Sequence, residues 1–220
     1  MSHHARGTEV PDEATSRAEA RARRRRVQLW LIRHALPVRV EGGPGPADPG
    51  LAPAGHEQAR RLAAWLRGQP FDAVWTSPLR RARETAAPLA EALGLEVVVD
   101  EDLAEWDREA DAYIPIEELK AEGDPRYQEL LDGTWAGEDG GAAFRQRLLA
   151  AMDRIVAAHP GGEVAVVCHG GVINVYLAHV LGLRDEMFFL PDYTSVSRVR
   201  AARSGPRSLA SVNETGHLHR

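Results

Sequence analysis

Three segments rich in histidine and arginine each follow directly after a predicted strand. The segments, each with its preceding strand, are Arg33-His34 after residues 28–32, residues 77–83 after 71–76, and His169-Gly170 after 164–167. Because the carboxyl ends of parallel strands meet at one edge of a sheet, these side chains are expected to lie close together. Guanidinium groups match phosphate oxygens in pairs, and a helix N-terminus adds backbone N–H donors. These residue types therefore predict a site for a doubly charged anion such as a phosphate group.

The elements that would position these residues alternate along the chain. Predicted strands cover residues 28–32, 71–76, 96–99, 164–167, 195–200 and 209–213, and predicted helices cover 53–67, 79–93, 116–122, 142–159 and 172–181. Strands that alternate with helices indicate βαβ units and a largely parallel sheet, that is, an α/β fold. The valine-rich strand at 96–99 is predicted to be buried, and the last two strands are predicted to lie at a sheet edge.

The composition excludes several classes of protein. The chain has 220 residues and a net charge of −5, and residues 1–26 hold seven arginines against four acids, so the remainder is mildly acidic. An acidic body argues against a nucleic-acid partner, and no apolar run reaches the roughly 20 residues of a transmembrane helix. The single cysteine, Cys168, excludes an internal disulfide. With no secretory signal visible, we expect a cytoplasmic protein.

The first 26 residues differ from the rest of the chain. They are polar, arginine-rich and without aromatic residues, so we expect a disordered basic tail at 1–26 ahead of one domain at 27–220. Its run of four arginines at 23–26 would suit RNA or anionic lipid, but a solvated lead-in to the first strand is the simpler interpretation. No nucleic-acid and no membrane partner is therefore expected.

Four motifs in this sequence resemble those of one known family. In chain order they are LIRHA at 31–35, TSPLRRARETA at 76–86, LAEW at 103–106 and VCHGG at 167–171. Together with DPGLAPAG at 48–55, they resemble the histidine phosphatase superfamily, the phosphoglycerate-mutase-like proteins, from about residue 28 to the end. The resemblance implies a three-layer α/β/α fold with a mostly parallel sheet. It also implies a metal-independent, acid-type phosphomonoesterase that needs no cofactor.

The resemblance implies a role for each matching residue. His34 matches the nucleophile that becomes a phosphohistidine, and a neutral imidazole is suited to that role. Arg33, Arg81 and His169 match the phosphate pocket, where a protonated His169 would add positive charge. Glu105 matches the general acid, which needs a pKa raised by burial. The expected catalytic set is His34, Glu105 and His169, and the expected phosphate-binding set is Arg33, His34, Arg81 and His169.

Two of these assignments have competitors close by in the sequence. Arg80 and Arg83 flank Arg81, although the spacing before Ala82 favours Arg81. Glu105 has three acidic neighbours that are alternative proton donors or solvated side chains: Asp102, Asp107 and Glu109. The sequence alone leaves the choice among these acids open.

The sequence also departs from the family pattern. Where many members continue Arg-His-Gly with a hydroxyl residue and later an asparagine, this chain has Ala35-Leu36-Pro37, so the phosphate or the ring of His34 is expected to be held differently. Arg39 is a candidate substitute, although a solvated loop arginine is the simpler interpretation. His56 stands where a basic residue is common and is assigned no role. Substrate specificity is predicted to come from residues 36–47 and 107–140. The aromatic residues that could line an apolar or sugar-binding wall there are Tyr113, Tyr127 and Trp135, although the core of a lid is the simpler role for each of them.

Three functions remain open from the sequence. The leading one is hydrolysis of a small-molecule phosphate ester, because the segment from Glu105 to His169 spans only 64 positions and is too short for the lid typical of mutases. The second is a mutase-type phosphotransferase, and the third is a binding module that retains the pocket without turnover. A homodimer through the late strands is compatible with the sequence, but nothing requires it.

Overall fold

The computed structural model describes residues 26–132, 141–203 and 205–219. Its main sheet has six strands in the order β4-β3-β6-β1-β7-β8. The strands are β1 (Arg26–Arg33), β3 (Ala73–Thr76), β4 (Val97–Val99), β6 (Glu163–Cys168), β7 (Val196–Ala202) and β8 (Arg207–Glu214). β1, β3, β4 and β6 run parallel to one another, and β7 and β8 are added in antiparallel fashion. A second, two-stranded sheet pairs β2 (Val40–Glu41) with β5 (Ala112–Tyr113).

Helices cover both faces of the main sheet, which makes the predicted three layers. The helices are α1 (Pro53–Leu66), α2 (Arg80–Leu93), α3 (Ile116–Glu122), α4 (Pro125–Asp132), α5 (Ala142–Ala158) and α6 (Gly170–Leu181). Leu29 and Leu31 of β1 pack against α5 and α6, whereas Trp30 and Ile32 of the same strand pack against α1 and α2. A strand buried on both faces must be apolar throughout, which explains the unbroken hydrophobic run that was visible in the sequence.

The central strands carry the site at their carboxyl ends. β1 pairs with β6 in register from Gln28↔Glu163 to Arg33↔Cys168, so both strands end at the same level. Cys168, the last residue of β6, is fully buried in the core on the side of α5 and α6, as a small apolar side chain would be. The N–H of His34 donates to the carbonyl of Cys168 at 2.9 Å, which extends the pairing by one residue beyond the strands. The segments that contain the two candidate histidines are therefore held side by side.

The structure corrects three details of the predicted fold. β4 is the edge strand beside β3, so Val98 and Val99 are 40% and 46% exposed rather than buried. α4 and the small β2–β5 sheet were not predicted. Arg26, assigned to the tail, begins β1 and pairs with Ala202. β7 and β8 do lie at the other side of the sheet, as expected from the sequence.

The remaining predictions concern the N-terminal tail, the homodimer and contact with a membrane. Residues 1–25 lie outside the described residues, so the tail at 1–26 and the domain boundary stay predictions, as does the homodimer. No helix among the described residues is long and apolar enough to cross a membrane.

Candidate active site

The side chain of His34 lies at the end of β1 beside the side chain of His169. The centroids of the two rings are 5.1 Å apart, and both residues are buried. Nδ1 of His34 lies 2.8 Å from the carbonyl oxygen of Ala35. A carbonyl oxygen only accepts hydrogen bonds, so Nδ1 carries the proton and Nε2 keeps its lone pair. His34 is thus fixed in the tautomer that a nucleophilic imidazole needs.

The charge state of His34 is set by its surroundings. Burial lowers the pKa of His34 well below its ordinary value, and the positive charges of Arg81 and Arg33 lower it further. The ring is therefore neutral at physiological pH, and its lone pair is available for attack on an electrophile.

The loop that follows His34 is hydrogen-bonded to Thr85 of α2. Oγ1 of Thr85 accepts a hydrogen bond from the N–H of Ala35 at 2.9 Å and donates one to the carbonyl of Arg81 at 2.7 Å. This hydroxyl therefore links the loop after His34 to the first turn of α2. Arg39 is not a substitute for the missing hydroxyl residue, because its guanidinium binds Glu118 and Glu122 on α3, outside the site.

Arg33, Arg81 and His169 bring buried hydrogen-bond donors to the same place. Both arginines are at least 94% buried, and α2 carries Arg81 inward while its neighbour Arg80 pairs with Glu84 at the surface. Nε of Arg33, Nε of Arg81 and Nδ1 of His169 have no hydrogen-bond partner among the described protein atoms. Buried polar atoms without partners are rare in folded proteins, so three of them close together favour binding of an anion with several acceptor oxygens.

The sequence predicted a protonated His169, but the surroundings of this side chain favour the neutral form. Burial, together with the charges of Arg81 and Arg33, holds the pKa of His169 well below its ordinary value. Its Nε2 lies 2.7 Å from Oγ of Ser77, a partner that was not predicted. Without an anion in the site, His169 is therefore neutral, and its role is that of an oriented hydrogen-bonding group. The nearby negative charge of a phosphate dianion would raise its pKa again.

Glu105 is the most deeply buried of the acidic side chains at the site. It is buried, its Oε2 accepts the N–H of Gly171 at 2.9 Å, and its Oε1 accepts the N–H of Trp106 at 3.1 Å. Burial, and next the negative charge of Asp107, raise the pKa of Glu105 to about 7. A carboxyl group that holds its proton near neutral pH is suited to general acid catalysis. The structure thus favours Glu105 over its acidic neighbours.

Those neighbours have other partners. Asp102 binds Arg154 at 2.8 Å, and Glu109 binds Arg108 at 3.1 Å. Asp107 faces Arg81, with 3.7 Å between its Oδ1 and Nη2 of the guanidinium, so it stands beside the site without being as deeply placed as Glu105.

Two tyrosines stack on the arginines of the site. The guanidinium of Arg33 lies 3.9 Å from the ring centroid of Tyr193, and that of Arg81 lies 4.6 Å from the ring centroid of Tyr113. Such contacts orient a guanidinium without using its N–H donors. Tyr113 was singled out in the sequence for a different role, as part of a wall, whereas Tyr193 was missed because its loop carries no periodic pattern.

A cavity of about 690 Å³ is lined at the site by Arg33, His34 and Arg81. Its lining comes from parts of residues 105–131 and 187–191, together with Arg33, His34, Arg81, Gly170, Gly171 and Asn174. Residues 36–47 and Tyr127, both expected to shape specificity, do not line it, and the segment 187–191 was not foreseen. Trp135 lies outside the described residues. Within those residues, no group of three histidine, cysteine or carboxylate side chains is placed to hold a metal ion.

Comparison with known proteins agrees with this fold. The family model of the histidine phosphatase superfamily, branch 1, matches residues 29–215. This chain therefore belongs to the histidine phosphatase superfamily, as the four motifs suggested.

Individual relatives include both phosphatases and mutases. The bifunctional protein Rv2228c of Mycobacterium tuberculosis is 34% identical over 220 residues, which cover 96% of this chain and 59% of that protein. The chain thus spans less than two thirds of that relative. The probable phosphoglycerate mutase GpmB of Yersinia enterocolitica is 31% identical over 166 residues, covering 71% of this chain and 76% of its own length. A mutant phosphoserine phosphatase of Entamoeba histolytica, solved with phosphoserine, has 25% identity and a TM-score of 0.68, covering 87% of this chain and 99% of its own.

Proposed function

We propose that this protein hydrolyses a small-molecule phosphate monoester through a phosphohistidine on His34. In the first step Nε2 of His34 bonds to phosphorus while the ester P–O bond breaks, and the carboxyl proton of Glu105 passes to the leaving oxygen. In the second step a water oxygen bonds to phosphorus, its proton returns to Glu105, and the N–P bond breaks. The products are the free alcohol and inorganic phosphate.

One observation carries this proposal. A neutral nucleophile, His34, and the carboxyl group of Glu105, whose pKa is raised to about 7, line the same open cavity. Nucleophilic attack needs the first group without a proton, and departure of an alkoxide needs the second group with one. A module that only bound phosphate would have no use for a buried proton donor, so the pair favours an enzyme.

Arg33, Arg81 and His169 are proposed to hold the three transferred oxygens. Charge in phosphoryl transfer is spread over these oxygens, and fixed donors stabilise it without reorganisation. Because two arginines supply this positive charge, we propose that the reaction proceeds without a metal ion.

A mutase is the second candidate, and the similarity to a probable phosphoglycerate mutase supports it. A mutase must hold an ester that carries a further anionic group while the phosphoryl group is exchanged. Besides Glu105, however, the cavity is lined by four further carboxylates, those of Asp107, Glu109, Asp111 and Glu129. These acids repel such a substrate, so hydrolysis is favoured.

The test is release of phosphate from phenyl phosphate in the presence of EDTA. Wild type is expected to turn over, and His34→Ala is expected to lose activity by at least 10³-fold because the nucleophile is gone. His56→Ala is the matched control, since His56 is exposed on α1, and should keep full activity. A folded wild-type protein that releases no phosphate, but transfers phosphoryl groups between phosphoglycerates when primed with a bisphosphate, would support the mutase instead.

A further inference from the structure

The cavity beyond His34 has a predominantly apolar wall. Its large side chains come from three separate parts of the chain, around residues 106–116, 130–131 and 187–190. These side chains include Trp106, Ile116, Leu131, Phe188 and Leu190. A phosphoryl group would fill only the end of a cavity of about 690 Å³, so most of this wall faces the alcohol part of a substrate.

Three of these side chains are unusually exposed for their type. Trp106 is 37% exposed, Leu131 is 52% exposed and Leu190 is 43% exposed. Single exposed apolar residues are common on protein surfaces, but three that border one cavity form a patch. Covering such a patch with an apolar ligand is favourable in proportion to the area removed from water.

The charges around the cavity restrict the ligand further. Besides Arg33, Arg81 and Glu105, the described lining has four carboxylates but only one further cation, Arg126. Asp107 faces Arg81 and Glu109 pairs with Arg108. The guanidinium of Arg126 is held by Asp124 in two hydrogen bonds, of 2.9 and 2.7 Å. A second phosphate or a carboxylate on the alcohol would therefore meet more carboxylates than cations in this lining.

We infer that the natural substrate is the monophosphate of a bulky, largely apolar alcohol that carries no second anionic group. This inference rests on the proposed hydrolysis at His34 and adds the substrate class. The alcohol would lie against Leu131, Phe188 and Leu190, with its phosphate between Arg33 and Arg81.

The first experiment compares esters of primary alcohols, whose leaving groups have similar basicity. The series is methyl, n-butyl and n-hexyl phosphate, with 5-carboxypentyl phosphate as the anionic counterpart of the hexyl ester. From methyl to hexyl, kcat/KM is expected to rise about threefold for each methylene group that enters the cavity. The carboxylated ester is expected to be at least about tenfold poorer than the hexyl ester, since its charge meets the acidic lining. A flat series, or a preference for the carboxylated ester, would overturn the inference.

The second experiment places a charge in the apolar wall. Leu190→Asp is expected to lower the ratio of hexyl to methyl kcat/KM by at least about fivefold, because a carboxylate replaces part of the apolar surface. Leu183→Asp is the matched control, since Leu183 is 41% exposed and lies outside the cavity, and its ratio should equal that of wild type. An equal fall in both variants, or in neither, would count against this wall as the alcohol site.

A binding measurement separates this inference from the proposed hydrolysis. Hexylphosphonate and methylphosphonate cannot be hydrolysed, and calorimetry should show that wild type binds the hexyl compound at least about tenfold more tightly. Tight hexyl binding without turnover of any ester would contradict the proposed function and keep the cavity assignment. Turnover of phenyl phosphate with equal affinity for both phosphonates would contradict the cavity assignment alone.

Discussion

The carboxyl group of Glu105 supplies the proton in the proposed reaction, and its pKa of about 7 sets the upper pH limit of activity. Glu105 must be protonated when the ester bond breaks, whereas His34, with its lowered pKa, is neutral throughout this range. We therefore predict that kcat/KM for an alkyl phosphate falls as pH rises through about 7. A pH profile measured at low substrate concentration tests this.

Asp107 contributes to that pKa, so its removal should move the profile. In Asp107→Asn the negative charge that raises the pKa of Glu105 is lost, and the upper limb is predicted to shift to lower pH by about half a unit or more. Ionisation of the substrate is the same for both enzymes and cancels in the comparison. Glu101→Gln removes one charge from an exposed position and should leave the pH at which kcat/KM falls unchanged. A shift in both variants would mean that the pKa of Glu105 follows the net charge of the protein rather than the nearby charge of Asp107.

The proton of Glu105 matters only when the leaving group needs it. Glu105→Gln is predicted to slow hydrolysis of hexyl phosphate by about 10²-fold or more, but to slow hydrolysis of p-nitrophenyl phosphate far less, because nitrophenolate departs without protonation. The ratio of the two rates in variant and wild type is the measurement. Equal losses on both esters would indicate that Glu105 holds the site together rather than donating a proton.

At the scale of single residues, the sequence was informative where a side chain stands next to a strand end. His34 and His169 were predictable because the apolar strands before them fix their place. The competition between Glu105 and Asp107 was not resolvable, since it depends on which carboxyl group reaches Gly171 on α6. Tyr193 was unpredictable, because it reaches Arg33 from a loop 160 positions away.

At the scale of elements, the start of α6 and the position of Glu105 depend on each other. A Cβ on Gly171 would overlap Oε1 of Glu105 and would lie 3.0 Å from its Cδ and from Cδ1 of Trp106. We predict that Gly171→Ala displaces the carboxyl group and lowers kcat for alkyl phosphates by at least about tenfold, with inhibition by inorganic phosphate retained. Steady-state kinetics and a phosphate inhibition constant provide the measurement.

Gly170→Ala is the matched control for this change. Its Cβ would meet nothing closer than Nε of Arg33 at 3.9 Å, which is an ordinary contact, so the loss in kcat should be much smaller. If both variants lose activity equally, helix flexibility rather than the position of Glu105 would be the cause.

Element type was predictable for long segments and failed for short ones. α2 and α5 are amphipathic over 14 and 17 residues, and their apolar spacing identified them. α4 has only 8 residues, and its three large apolar side chains, Tyr127, Leu130 and Leu131, span little more than one turn, which is too short to establish a helical period. In β4 the three valines indicated a strand correctly, but a strand at the edge of a sheet is not buried, and its place in the sheet depends on pairing with β3 alone.

At the scale of the whole molecule, the C-terminal segment is tied to the catalytic loop through a buried histidine. The ring of His217 stacks on Trp65 of α1 at 5.1 Å, and its Nε2 lies 2.9 Å from Oγ1 of Thr194. Thr194 adopts a left-handed backbone conformation, with φ of 58°, and its N–H donates to the carbonyl of Arg33 at 3.1 Å. His217 therefore joins the end of the chain to the residue before His34.

This contact is predicted to make stability depend on pH. Burial lowers the pKa of His217 to about 4, below its value of about 6.5 in an unfolded chain. The unfolded state then binds more protons between these values, so the contribution of His217 is complete above about pH 6.5 and is lost as pH falls towards 4. His217→Gln should be less stable than wild type at pH 7.5, and the difference should shrink at pH 5.

Denaturant unfolding at the two pH values measures this effect. His56→Gln changes an exposed position and should have the same free energy of unfolding as wild type at both pH values. His34 and His169 contribute a similar pH dependence, but they do so equally in all three proteins and cancel in the differences. A difference between wild type and His217→Gln that is the same at both pH values would contradict the prediction.

The fold class was predictable from the sequence, but the cavity was not. Alternating strands and helices indicated a largely parallel α/β sheet, and the order and pairing of the strands bear this out. The cavity was not predictable, because its lining joins segments more than 70 positions apart whose contacts depend on the docking of α3 and α4 and on the loop at 187–191.

The most direct test of the account is a search for the phosphorylated intermediate. Wild type mixed with phenyl phosphate would be quenched in alkali within milliseconds, since phosphohistidine survives base, and the peptide that contains His34 would be analysed by mass spectrometry. The proposed mechanism predicts a phosphoryl group on His34 that is absent in His34→Ala. In Glu105→Gln it is predicted to form more slowly when hexyl phosphate is the substrate. Undiminished turnover by His34→Ala, or a phosphoryl group on any other residue, would contradict it.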